Sequence, residues 1–76
     1  MSTSEQVKET IADTLNLPLT SINNDSSAEN IDAWDSLAQV NLMIALEQTF
    51  DIQLEVEDFM DLTSAQAIID YIDKNT

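Results

Sequence analysis

The sequence predicts an all-α fold, a small bundle of three main helices plus one short helix, and three observations lead there. Apolar residues recur at helical spacing in Val7, Ile11 and Leu15, in Leu42, Leu46 and Phe50, and in Ala65, Ile68, Ile69 and Ile72. Start signals of the capping-box kind, Ser or Thr followed three residues later by Glu or Gln, open the first and last of these stretches. The length of 76 residues supports one domain, 1–76. Its core would bury only roughly 60% of the surface an unfolded chain exposes, which leaves a thin stability margin.

The first helix has two competing starts, Ser2-x-x-Glu5 and Thr3-x-x-Gln6, and is expected from about Ser4 to Leu15. Leu17-Pro18 is expected to stop it, because Pro18 lacks an amide hydrogen and restricts the residue before it. From Asn16 to Asp35 the chain is rich in Asn, Ser, Thr and Asp and reads as a long loop, the kind that tends to be functional. Its isolated apolar residues, Ile22, Ile31 and Trp34 among them, are expected to pack across the helices. With no glycine, any turn at positive φ must rely on Asn or Asp, with Asn23, Asn24 and Asn30 as examples.

The second helix is expected to begin at Asp35-Ser36 and continue through Phe50. Leu42, Leu46 and Phe50 form one stripe and Leu37, Val40 and Ile44 a neighbouring one. So wide an apolar face is expected both to sit between other helices and to offer part of itself to a partner. A linker, Asp51-Ile52-Gln53-Leu54, leads to a short acidic helical turn over 55–62 that carries Val56, Phe59 and Met60. Thr63-x-x-Gln66 then opens the last helix, and Lys74 in its final turn complements the helix dipole.

Composition excludes several classes of function. The absence of cysteine rules out disulfides and thiolate metal sites, and the absence of histidine removes the commonest general base and metal ligand. Fifteen Asp and Glu against two Lys, Lys8 and Lys74, give a formal charge of −13. That charge repels nucleic acid and anionic lipid and favours basic protein surfaces as partners. No apolar run approaches the roughly 20 residues of a membrane span, and the first residues carry neither a basic nor a hydrophobic leader pattern. A cytoplasmic or already processed monomer is the expectation.

The acidic residues do not form a calcium loop, because no window has the alternating ligands, the sixth-position glycine and the twelfth-position glutamate such a loop needs. Diffuse cation binding as charge relief is expected instead, and no metal site. The many carboxylates describe a solvated acidic face rather than a tuned acid–base pair. A serine triad is impossible without His, and a Ser-Lys pair would need support that so small a chain does not supply. No catalytic residue is assigned and an enzyme is not expected. Ser36 remains. A serine in the first turn of a helix is most often only a helix start, its hydroxyl or the Asp35 carboxylate accepting from free amides. A phosphate ester there would nonetheless face unpaired amides and the positive end of the helix dipole.

The segment Trp34-Asp-Ser-Leu-Ala-Gln-Val-Asn-Leu-Met-Ile-Ala-Leu-Glu-Gln-Thr-Phe-Asp51 resembles the acyl carrier protein signature, in which Asp-Ser-Leu opens the second helix and Leu-Glu-x-x-Phe closes it. The resemblance extends through the Leu17-Pro18 break, the spacer, the acidic turn and Thr63-Ser-Ala-Gln-Ala-Ile-Ile-Asp-Tyr-Ile72, and so covers nearly the whole chain. It implies that Ser36 accepts 4′-phosphopantetheine from coenzyme A, transferred by a separate magnesium-dependent phosphopantetheinyl transferase (holo carrier synthase). It implies that Asp35 helps present the serine. Leu37, Val40 and Ile44, with Glu47 at the acidic margin, would form the surface shown to acyl-transferring and acyl-processing enzymes with basic surfaces. An acyl thioester on the arm would shelter among Leu42, Leu46, Phe50, Leu54, Phe59, Ile68 and Ile72, for each of which plain core packing is the simpler role.

Two departures from the signature bear on the pathway. Ala38, Asn41 and Gln48 are neutral where many fatty-acid carriers are acidic, and Ala33-Trp34 replaces a glycine usual before the motif. The implied carrier therefore serves fatty-acid biosynthesis, polyketide assembly or another specialised pathway. The competing expectation is an unmodified acidic helical adaptor that binds basic partner proteins through the second helix.

Overall fold

The computed structural model describes residues 3–75. Helix α1 spans Thr3–Leu15, α2 Ser36–Phe50, α3 Val56–Asp61 and α4 Ala65–Asn75, with a 3-10 turn at Leu19–Ser21 between α1 and α2. The three main helices and the short one are therefore as expected. Among the described residues there is no strand, only an isolated antiparallel bridge between Ser27 and Ser64. No helix there is long and apolar enough to cross a membrane.

The helix ends correct three local expectations. α1 is terminated by Asn16 rather than by Pro18: Asn16 takes φ 57°, its N–H donates to Asp13 O at 3.3 Å, and the Leu17 N–H donates to Ala12 O at 2.9 Å. This pair of bonds is the Schellman arrangement, with asparagine in the place a glycine usually holds. Pro18 instead stands just before the 3-10 turn, where a missing N–H costs nothing. α2 ends the same way on Asp51, at φ 55°, with the Ile52 N–H donating to Glu47 O. Asn16 and Asp51, not Asn23, Asn24 or Asn30, thus take the left-handed positions. At α4 the cap is Ser64 rather than Thr63, since Ser64 Oγ accepts from the Ala67 N–H at 3.1 Å. Of the two α1 start signals, Ser2-x-x-Glu5 begins outside the described residues.

One apolar cluster joins the elements. Val7, Ile11, Ala12 and Leu15 of α1 meet Leu42, Met43 and Leu46 of α2 and Ala65, Ile68, Ile69 and Ile72 of α4. Ile22 and Trp34 from the long loop and Leu62 complete it. α1 packs against both α2 and α4. Two of the three loop residues expected to pack, Ile22 and Trp34, are buried, and Ile31 lies partly buried against them.

The loop reaches the core because its polar residues satisfy one another and the neighbouring backbone. Buried Ser26 accepts the Asn23 N–H on its hydroxyl, donates its own N–H to Asn23 O, and gives its carbonyl to the Ala65 N–H at 2.8 Å. Ala28 N–H reaches Thr63 O at 2.9 Å. These bonds fasten the middle of the loop to the start of α4, so that its last residues, Ile31 to Asp35, arrive at the start of α2 from a fixed direction.

Candidate functional site

The site is built at the N-terminus of α2. Asp35 is its N-cap, in extended conformation, and Asp35 Oδ1 accepts from the Ala38 N–H at 2.9 Å. Because the aspartate supplies the cap, Ser36 is left as the first helical residue, exposed, with its hydroxyl outside any hydrogen bond among the described residues. The backbone N–H groups of Ser36 and Leu37 are the first two of the helix and likewise have no partner there. An exposed hydroxyl beside two free amides at the positive end of a 15-residue helix is a setting that accepts a phosphate ester. The residues present thus fit a phosphopantetheine attached at this point.

An open cavity of about 470 Å³ lies beside the serine, lined by Ala28, Trp34, Asp35, Ser36, Gln39, Val40, Phe59 and Thr63. Its floor is organised by Gln39, a residue the sequence reading passed over. Gln39 Oε1 accepts the Trp34 indole N–H, and Gln39 Nε2 donates to Phe59 O at 2.9 Å and to Leu62 O at 2.7 Å. One side chain therefore ties the residue two before the serine to the last turn of α3 and its C-cap. A signal for it existed in the sequence. Gln39, Met43, Leu46 and Phe50 share one helical face, and a polar residue on a buried stripe needs partners.

The other expected site residues fall into three places. Leu37 is 71% exposed, and Val40 and Ile44 are exposed beside it, which leaves an apolar strip on the solvent side of α2. Glu47 is half-buried, and its Oε2 accepts the Leu54 N–H at 3.0 Å, so it also holds the linker between α2 and α3. Leu42, Leu46, Ile68 and Ile72 lie in the closed core, while Phe50, Leu54 and Phe59 are half-buried against it. Of these seven only Phe59 lines the cavity at Ser36.

α3 flanks the site on the side of Phe59. Glu55 and Asp58 form a reciprocal capping box at its start, and Asp58 Oδ2 also accepts the Tyr71 hydroxyl from α4 at 3.1 Å. Burial pushes the Tyr71 phenol above its ordinary value, and the hydrogen bond to Asp58 and the negative charges of Asp58 and Glu55 add to the shift. Val56 and Met60 of α3 are also exposed, at 79% and 76%.

The geometry thus presents an unencumbered serine at a helix start, with a cavity at its side and an acidic, partly apolar face around it. A family model described as a phosphopantetheine attachment site matches residues 5–72, a span that takes in α2 and α3 whole, most of α1 and α4, and Asp35-Ser36-Leu37. The chain belongs to the phosphopantetheine-attachment family of carrier domains.

Proposed function

We propose that the chain carries acyl intermediates as thioesters on a phosphopantetheine arm bound to Ser36 and shuttles them between the enzymes of a biosynthetic pathway. Family membership supplies the coarser part: the chain is an attachment domain for 4′-phosphopantetheine, a carrier and not an enzyme. The observation that supports Ser36 as the acceptor is the division of labour with Asp35. Because the Asp35 carboxylate caps the helix, the Ser36 hydroxyl is free to be modified without loss of a structural bond. When bound, the arm supplies a terminal thiol that holds the acyl group as a thioester. The free amides of Ser36 and Leu37 stabilise the phosphate, and the adjacent cavity receives the part of the arm nearest the helix.

The strip formed by Leu37, Val40 and Ile44 of α2, with the exposed Val56 and Met60 of α3, is the surface on which partners dock in this reading. The same two elements carry carboxylates, Glu47 on α2 and Glu55, Glu57 and Asp61 at α3. Steering by charge toward basic enzymes raises the rate of encounter without requiring tight binding, which suits a carrier that has to dissociate after each transfer. The transferase and acyl-processing enzymes are the expected partners, in fatty-acid, polyketide or another specialised synthesis in the cytoplasm.

Incubation with coenzyme A and a broad-specificity transferase is expected to add one phosphopantetheine mass to the wild-type protein and none to Ser36→Ala. Ser36→Ala keeps the Asp35 cap, so its helical circular dichroism should match wild type and its stability should change by no more than about 0.5 kcal/mol. A loaded Ser36→Ala protein would move the attachment point elsewhere.

A further inference from the structure

We infer that Gln39 limits cargo length: its two hydrogen bonds to Phe59 O and Leu62 O latch the seam between α2 and the end of α3, with the Trp34 indole holding its amide in place, so that a short acyl group rests in the cavity beside Ser36 and a long chain is kept out of the apolar interior. The inference rests on Ser36 as the attachment point. Three observations carry it. The interior residues Leu42, Leu46, Ile68 and Ile72 are packed against one another at 1% exposure or less, and so offer a chain no space that is already open. The way from Ser36 toward them passes Trp34, Gln39 and Phe59, which line the cavity. At that point Gln39 has both functions of its amide engaged, its oxygen by Trp34 and its nitrogen by the carbonyls of Phe59 and Leu62.

Opening the seam means separating α3 from α2, which takes the acceptors of the half-buried Gln39 amide nitrogen and the donor of the Phe59 and Leu62 carbonyls away together. Each polar group left unsatisfied away from water carries a penalty larger than the net value of the bond it lost. A short acyl group gains too little from burial to drive that change. In the wild-type protein it therefore stays at the cavity, between the Trp34 and Phe59 rings and the Val40 side chain. Gln39 acts as a positioning residue, since its side chain sets where the end of α3 lies and not how the thioester reacts.

The test loads wild type, Gln39→Met and Trp34→Phe from butyryl- and dodecanoyl-coenzyme A with a broad-specificity transferase, and confirms each product by intact mass. Thioester cleavage by hydroxylamine and the methyl NMR shifts of Leu42, Leu46 and Ile68 are then compared between the two cargoes. Each methylene moved from water to an apolar interior favours the buried state by roughly fourfold, so a chain that enters is strongly protected. In wild type the two cargoes should be cleaved within about twofold of each other, with core methyl shifts independent of cargo. In Gln39→Met the dodecanoyl thioester should be cleaved about tenfold or more slowly than the butyryl one, and its core methyls should move. Trp34→Phe removes the indole donor's bond and some ring volume while leaving the Gln39 bonds to Phe59 O and Leu62 O in place, and should lie between the two. A merely structural Gln39 would lower stability for both cargoes alike and leave their ratio unchanged.

Tenfold protection of the dodecanoyl thioester in wild type, with shifted core methyls, overturns the inference, because the interior then admits the chain with the latch in place. A wild-type ratio in both variants overturns it as well. If Gln39→Met does not fold, Trp34→Phe and the wild-type comparison decide by the same criteria. Absence of added mass under conditions that load a control carrier overturns the Ser36 assignment itself and the inference with it.

Discussion

The two connections that flank α2 hold their residues by opposite means. Residues 16–35 contain only one 3-10 turn, yet they bury Ile22, Ser26 and Trp34 and are bonded to the start of α4 through Ser26 O and the Ala28 N–H. α3 is a regular helix with a complete capping box, yet none of its residues is fully buried and two of its apolar side chains face solvent. Between these two connections, regular backbone is therefore not what decides which is held more firmly. The loop is fixed by core contacts and satisfied polar groups, whereas α3 is held by separate pins: Gln39 on its last turn, Tyr71 on Asp58, and Glu47 on the linker before it. Elements with few buried contacts are the ones that open locally at low free energy. The exposed residues of α3 thus depend on a few separate bonds for their position, and the serine on the packed core behind α2.

Breaking the loop's contribution should produce the largest effect. Trp34 is 2% exposed and is among the largest buried side chains. Trp34→Ala should lower stability in urea unfolding by about 3–5 kcal/mol, a large share of what a domain of this size possesses. A loss below about 1 kcal/mol would mean that the loop is not part of the core. Ser26→Ala removes the acceptor for the Asn23 N–H at a buried site and should cost about 1–3 kcal/mol by the same measurement. Hydrogen exchange would sharpen the contrast, because Ser26→Ala should speed exchange of the Ala65 and Ala28 amides more than that of the α3 amides.

The same contrast separates what was legible in the sequence from what was not. α2 could be placed from Asp35-Ser36 to Phe50 because its cap and its periodicity are local signals. The serine stands out only through the resemblance of its whole segment to the carrier signature, because a first-turn serine by itself is most often just a helix start. The end of α1 was assigned to Pro18, the strongest breaker in sight, while the bonds at Asn16 that end it depend on a backbone conformation that asparagine only permits. Gln39 is the clearer case. Its partners Phe59 and Leu62 lie 20 and 23 residues further along the chain, and pairings over that distance follow from packing, not from local pattern. The closed interior is another such property. Leu42, Leu46, Ile68 and Ile72 look alike as core residues or as the wall of a cavity until their mutual packing is known. Glu47 reads as one more surface carboxylate, and only the fold shows that it takes the Leu54 amide.

The pin between α3 and α4 should give the smallest effect, and its pH dependence isolates it. The folded Tyr71 phenol has its proton affinity raised above the ordinary value of 10.0, by burial first and then by Asp58 and Glu55. At a pH where tyrosine in the unfolded chain ionises, the folded protein thus still holds the proton. The stabilisation is fully present below the ordinary value and is lost as pH rises through the raised one. The chain has a single tyrosine, so ultraviolet absorbance follows this group alone. Its midpoint in the folded protein should lie above 10.0. Asp58→Asn keeps an oxygen to accept the Glu55 N–H and the Tyr71 hydroxyl but removes the charge, so the midpoint should fall part of the way back, with burial maintaining the rest. Tyr71→Phe should flatten the difference in stability between neutral and alkaline pH relative to wild type. An unchanged midpoint in Asp58→Asn would mean that α3 is not anchored to α4 through this pair in solution, and would make α3 freer of the core than its contacts with Tyr71 imply.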